Sequence, residues 1–139
     1  MILVADADVR DPIVQALQAI SFPISRLSEL HIPVRPDTAV MQGVLDADGL
    51  LLTFDTGIPS QAYLHQFGQA GLTVAVVRLD QEGPLAWQKA TEIILRDWHR
   101  WQQVAAQAPS VSSVTWSGSR SRAWEDLPST MASQASPRV

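Results

Sequence analysis

The sequence contains no cysteine, a single lysine and no long apolar run. The absence of cysteine among 139 residues excludes disulfides and thiolate metal sites. No apolar segment approaches the ~18–20 residues of a membrane span. The apolar start, residues 1–5, meets Asp6 at once and lacks the basic start and long apolar stretch of a signal peptide. We therefore expect a cytoplasmic protein that makes no membrane contact.

Charge is distributed unevenly along the chain, whose net charge is −4. Residues 1–101 hold 7 Lys/Arg and 12 Asp/Glu, whereas residues 102–139 hold 3 and 2. An acidic body of this kind is not a general nucleic-acid binder, because neutralising phosphates requires a basic face. A role with nucleic acid would need local arginines or a metal ion that inverts the local field.

Two hydrophobic periodicities alternate through the first hundred residues. Continuous apolar runs, typical of buried strands, alternate with segments of helical spacing, which predicts parallel strands covered by helices on both faces. Strands are predicted at residues 2–5, 22–27, 50–54 and 72–77, with helices beginning at Asp11, Asp37, Pro59 or Ser60, and Leu85. Right-handed crossovers then give a three-layer α/β/α sandwich with a parallel four-stranded sheet of order 2-1-3-4.

The composition changes after the last predicted helix. Residues 110–136 include nine serines and show no helical or strand period. We therefore expect an α/β domain at residues 1–104 and a Ser-rich, flexible tail at residues 105–139. The last helix carries a stripe of Trp87, Ile94, Trp98 and Trp101, which is expected to cover the sheet. The alternative is that part of this stripe forms a homodimer or binds a partner protein.

Acidic residues gather where the predicted topology forms a crevice. Asp6 follows the first strand and Asp55 follows the third, so the two flank the switch point, where ligands bind beyond the carboxyl ends of strands. Asp37 begins the second helix. Close carboxylates repel and need protons or cations. Oxygen ligands favour Mg²⁺ or Mn²⁺, and a hydrated ion of this kind suits phosphodiester hydrolysis.

An ordinary structural interpretation of the same acids stays open at this point. Asp11 and Asp37 are good helix caps. Asp55 is a residue type common where strands end, and Asp8 would then be a charge in a loop.

Three stretches of the chain resemble the small PIN-like nuclease family, compact relatives of the toxin ribonucleases of toxin–antitoxin systems. They are "ILVADAD" at residues 2–8, "PDTAVMQGVLDADGLLLTFD" at residues 36–55 and "LTVAVVRL" at residues 72–79. In that family an Asp closes the first strand, an Asp begins the helix before the third strand, and Thr-x-Asp closes the third strand. These roles map onto Asp6, Asp37, and Thr53 with Asp55.

The resemblance implies a metal-dependent endoribonuclease. Asp6, Asp37 and Asp55 would be its catalytic residues and would hold Mg²⁺ or Mn²⁺. Thr53 would orient a ligand or water through its hydroxyl. Family members often carry a second acid directly after the first Asp; this chain has Ala7 there, and Asp8 is the expected substitute. RNA would be the substrate, and an antitoxin protein would be the partner of such a toxin.

Two other functions are compatible with the pattern. A phosphoacceptor receiver domain also places acids after strand 1 and an Asp after strand 3, with Asp55 as the phosphate acceptor. However, no Ser or Thr follows the fourth strand, no fifth strand is predicted, and the only lysine, Lys89, lies in a predicted helix. The third possibility is a non-catalytic PIN-like interaction module.

Overall fold

The computed structural model describes residues 1–55, 63–79, 83–115 and 118–123. The strands are β1 (Ile2–Ala5), β2 (Ile24–Arg26), β3 (Gly49–Thr53), β4 (Val74–Val77), β5 (Ser110–Thr115) and β6 (Gly118–Ala123). The helices are α1 (Asp11–Ala19), α2 (Asp37–Asp46), α3 (Tyr63–Gln69) and α4 (Pro84–Gln107), with a 3₁₀ turn at Ser28–Leu30. The proposed start of the third helix, at residue 59 or 60, lies outside the described residues.

One six-stranded sheet of order β2-β1-β3-β4-β5-β6 runs through the molecule. Strands β1 to β5 are parallel to their neighbours, and β6 is antiparallel to β5. The α/β class and the order 2-1-3-4 of the first four strands are confirmed. The expectation of a four-stranded, wholly parallel sheet is wrong, because β5 and the antiparallel β6 extend it.

The two additional strands lie in the segment where we expected a flexible tail. Helix α4 extends to Gln107, and the chain then forms a hairpin of β5 and β6. Polar pairing supports this hairpin, since the hydroxyls of Ser112 and Ser121 lie 2.7 Å apart across the two strands. The sheet therefore continues past residue 104, and residues 124–139 lie outside the described residues.

Helices cover the sheet on both sides and create two apolar clusters. One cluster joins the sheet to α1 and α4, and the other joins it to α2 and α3. In the aromatic stripe of α4, Ile94 and Trp101 are buried, while Trp87 and Trp98 pack partly buried against the first cluster. The stripe thus covers the sheet, as predicted. None of the described helices has both the length and the apolar character needed to span a bilayer.

Candidate functional site

The buried hydroxyl of Thr53 joins two carboxylates at the carboxyl edge of the sheet. Thr53 ends β3 and is 0% exposed. Its Oγ1 atom lies 3.1 Å from Asp6 Oδ2 and 3.2 Å from Asp8 Oδ2. The backbone N–H of Asp55 donates to the same oxygen at 3.1 Å. Since a hydroxyl carries a single proton, the two carboxylates share one donor.

Backbone hydrogen bonds hold both of these acids against the sheet. The N–H of Asp6 donates to the carbonyl of Leu52 at 2.9 Å, which keeps Asp6 aligned with β3. Asp6 Oδ1 accepts from the N–H of Ala7 at 2.8 Å. Asp8 reaches across the edge, where its Oδ2 accepts from the N–H of Phe54 at 3.1 Å. The loop after β1 is therefore tied to the end of β3 through Asp8. We call Asp6, Asp8 and Thr53 the carboxylate cluster.

Burial makes the charged forms of both acids unfavourable. Desolvation raises the pKa of Asp6 above its ordinary value, hydrogen bonds from Ala7 and Thr53 oppose this, and the charges of Asp37 and Asp55 add to it. The pKa of Asp8 is raised in the same way, chiefly by desolvation, although the residue as a whole is exposed. Its carboxylate rests against the buried Thr53 and the end of β3, which explains the desolvation.

The other two predicted site residues lie near this cluster. Asp37 is the first residue of α2 and Asp55 follows β3; both are exposed. The charge of Asp37 acts on Asp6, and that of Asp55 acts on both Asp6 and Asp8, so all four acids surround the same edge. Within the described residues, no three acidic or histidine side chains are already arranged to hold a metal ion.

Asp11 does not belong to the carboxylate cluster. It begins α1 and forms an ion pair with Arg26 of β2, with 3.1 Å between Oδ1 and Nε. The cap interpretation of Asp11 and Asp37 is wrong as stated, because the residues at the N-cap positions are Arg10 and Pro36. Both aspartates instead lie in the first helical turn, where a negative charge stabilises the helix dipole.

A second carboxylate, unforeseen from the sequence, lies between α4 and β6. Asp97 is 7% exposed, and Arg96 holds it through Nε and Nη2 at 2.9 and 2.8 Å. Ser119 of β6 donates to Asp97 Oδ2 at 2.5 Å, and the indole N–H of Trp101 donates to Ser119 at 3.2 Å. Asp97 therefore fixes the hairpin to the helix. No local signal marks this role, since its partner lies in a segment without strand periodicity.

No family model matches the chain, and neither a curated protein nor a solved structure does. The class that the coordinates define is an α/β protein with a mixed sheet and an acidic cluster at the carboxyl edge of its central strands.

Proposed function

We propose that this protein is a ribonuclease that uses Mg²⁺ or Mn²⁺ to hydrolyse RNA phosphodiester bonds. The observation that carries the proposal is the sharing of one Thr53 proton by two desolvated carboxylates, Asp6 and Asp8. None of the ion pairs between described residues reaches either acid. A cluster of this kind gains stability from a cation, and the resemblance to PIN-like nucleases supports the same choice.

The donor set fits a hard divalent cation. Mg²⁺ binds carboxylate oxygens, keeps several waters and commonly uses only one or two protein carboxylates. Asp6 and Asp8 would provide these oxygens, while Asp37 and Asp55 would act from the rim of the cluster. When bound, such an ion activates water and neutralises phosphate charge. Thr53 keeps the two carboxylates in place through its hydroxyl.

The cluster can also hold a proton. Because Thr53 has one proton and two carboxylate neighbours, a second proton on Asp6 Oδ2 completes the hydrogen bonding. Asp6 then donates to Thr53 Oγ1, and Thr53 donates to Asp8. The raised pKa values of both acids favour this uptake. Before it takes up this second proton, such a pair suits a general base, because it can accept the proton of the attacking water.

A cleavage assay tests the proposal. Purified protein should cut RNA only with added Mg²⁺ or Mn²⁺, and Asp6→Asn or Asp8→Asn should lower the rate by about 100-fold or more. Asp46→Asn is the matched control, since Asp46 is exposed at the end of α2, where it accepts from Gln42. Cleavage of RNA without a divalent metal, or equal cleavage rates in wild type and all variants, would contradict the proposal.

A receiver domain remains the second candidate because of one observation. The five parallel strands have the order 2-1-3-4-5, which is the flavodoxin-like order that receiver domains share. Our expectation that no fifth strand follows was wrong. However, β4 leads into Arg78 and Leu79, with no hydroxyl residue there, and Lys89 lies in α4. Incubation with acetyl phosphate followed by mass spectrometry distinguishes the two, since a receiver would be phosphorylated on Asp55.

The expected protein partners stay predictions. A toxin ribonuclease would be inhibited by an antitoxin protein, and co-purification from cells that express both would identify it. The proposed homodimer loses part of its basis, because the aromatic stripe of α4 packs against the sheet. Size-exclusion chromatography with light scattering measures the oligomeric state directly.

A further inference from the structure

Three exposed arginines lie on one side of the sheet. Val74 and Val76 of β4 belong to the cluster under α2 and α3, so by strand alternation Arg78 is on that side. Val111 of β5 belongs to the same cluster. Arg122 pairs with Val111, and Arg120 pairs with Ser113 two residues further along, so both arginines are on that side too. We call Arg78, Arg120 and Arg122 the arginine row.

The row begins beside the carboxylate cluster. Thr53 of β3 pairs with Val76 of β4, so Arg78, two residues beyond Val76, follows the carboxyl end of β4 at the edge where Thr53 lies. The N–H of Arg78 donates to Val114 of β5 at 2.8 Å, which fixes it next to the fifth strand. Strand β6 lies three strand spacings from β3, about 14 Å. The row thus leads away from the cluster across β4, β5 and β6.

The guanidinium groups of the row differ from those of two arginines in β2 and α4. Arg26 and Arg96 are held by carboxylates. Among the described residues, no ion pair or side-chain hydrogen bond engages any member of the row. Helix α4 packs on the opposite side of β5 and β6, where Ser119 meets Asp97. An acidic protein therefore presents exposed positive charge on the side of β6 that faces away from α4.

We propose that the arginine row binds the backbone phosphates of single-stranded RNA and directs the strand to the carboxylate cluster. This rests on the proposed ribonuclease function and specifies how its substrate is held. Arg120 and Arg122 are two residues apart on a strand, about 6.8 Å, which is close to the separation of successive phosphates in an extended single strand. Arg78 would hold the phosphate next to the acids. Arginine suits this role because its guanidinium binds phosphate oxygens bidentately.

An RNA-binding measurement without divalent metal tests the row separately from cleavage. A fluorescent single-stranded RNA is titrated in EDTA, and anisotropy is recorded at several salt concentrations. The double variant Arg120→Gln/Arg122→Gln should bind roughly tenfold more weakly at low salt. The slope of log affinity against log salt should fall by about 1.4, because each phosphate contact to a single strand contributes about 0.7.

A matched control has the same change in charge on the other side of the sheet. Lys89 and Arg100 are exposed on α4, and Lys89→Gln/Arg100→Gln should retain wild-type affinity and slope. If both double variants bind RNA equally weakly, or if the wild type does not bind RNA, the proposed role of the arginine row is contradicted. Arginine-dependent binding of polyglutamate in place of RNA would contradict it too, because that would indicate an acidic protein partner.

Charged edge strands also prevent strands from pairing between molecules, which is the competing explanation of Arg120 and Arg122. Light scattering on the same variants decides this: self-association of Arg120→Gln/Arg122→Gln with unchanged RNA affinity would assign the arginines to solubility. Failure of cleavage leaves the binding result standing, because the titration contains no metal. Conversely, if the protein cleaves RNA but its RNA affinity does not depend on the arginine row, only the proposed role of the row is contradicted.

Discussion

Among the described residues, the carboxylate network at the β1–β3 edge and the one between α4 and β6 are built in opposite ways. At the β1–β3 edge, Asp6 and Asp8 share the single proton of Thr53. Between α4 and β6, Asp97 receives two N–H groups from Arg96 and the hydroxyl of Ser119. The first network has more acceptors than donors, whereas the second supplies a donor to each carboxylate oxygen.

The pKa values express the same difference. Burial raises the pKa values of Asp6 and Asp8, and neighbouring acids strengthen the effect. Burial also acts on Asp97, but hydrogen bonds from Arg96 and Ser119, with the charges of Arg96 and Arg100, lower its pKa below the ordinary value. The folded state thus favours Asp97 as an anion and disfavours the charged forms of Asp6 and Asp8. Acids whose charged forms are disfavoured in the folded state are typical of functional sites, since perturbed pKa values concentrate there.

Removing the charge of Asp97 should change the stability of the protein the most, because each oxygen of this carboxylate accepts a hydrogen bond. Asp97→Asn should lower the free energy of unfolding by about 2 kcal/mol at neutral pH, because the amide has one acceptor oxygen and turns an NH₂ group towards Arg96. The half-exposed position of Arg96 limits the ion-pair contribution. Urea unfolding followed by circular dichroism measures the change. The free energy of unfolding of the control variant Asp46→Asn should stay within about 0.5 kcal/mol of the wild-type value. If Asp97→Asn unfolds with the wild-type free energy, the Asp97 network does not hold the hairpin.

The same isosteric change should have the opposite sign at the carboxylate cluster. Asp6→Asn should raise the free energy of unfolding by about 1 kcal/mol in EDTA, because it removes a desolvated charge beside other acids. The carbonyl oxygen of the introduced amide would still accept from the N–H of Ala7. Its NH₂ group would donate to Thr53, which leaves the hydroxyl proton for Asp8. A destabilised Asp6→Asn would show that the cluster is an ordinary structural network.

The two changes in stability should depend on pH in opposite ways. When the pKa of an acid is higher in the folded state, the acid contributes stability at pH values below its pKa in the unfolded chain, which is near 3.8. This contribution is lost as pH rises through the pKa of the folded state. The advantage of Asp6→Asn should therefore be absent near pH 3 and grow above pH 4. A lowered folded-state pKa gives stability that is present above the pKa of the unfolded chain and is lost as pH falls. The loss of unfolding free energy in Asp97→Asn should therefore be full above about pH 4 and shrink as pH falls below it. If the difference in unfolding free energy from wild type varies with pH in the same way for both variants, this prediction is wrong.

The central part of the fold was predictable because its signals are local. Apolar runs such as Leu50–Leu52 mark buried parallel strands, and alternation with helices fixes their order. The same rule brings Asp6 and Asp55 to one edge without any knowledge of side-chain contacts. The hydrogen bond from the N–H of Phe54 to Asp8 was not predictable, since it depends on the path of a short loop.

The hairpin could not be predicted because its stabilising contacts are distant in sequence and polar. Ser112 pairs with Ser121, and Ser119 meets Asp97 of α4. Serine lacks the β-branched or aromatic side chain that is typical of strands, and the hydroxyls of Ser112 and Ser119 make their hydrogen bonds to those distant partners. One weak signal existed: serine and arginine alternate through residues 119–122, which is the period of a strand with one side exposed.

A divalent cation should change the free energy of unfolding the least, and its effect distinguishes the two carboxylate networks directly. Mg²⁺ at a concentration near twice its Kd should raise the free energy of unfolding by about 0.6 kcal/mol, which corresponds to about 2 °C in Tm. Asp6→Asn should abolish this shift because it removes a ligand and the repulsion that a cation relieves. Asp97→Asn should keep it, because Arg96 already neutralises that carboxylate in the wild type. NaCl of equal ionic strength controls for screening, which acts on every exposed charge alike. An equal Mg²⁺ shift in wild type and Asp6→Asn would place the cation elsewhere on this acidic protein and leave the carboxylate cluster without its proposed metal.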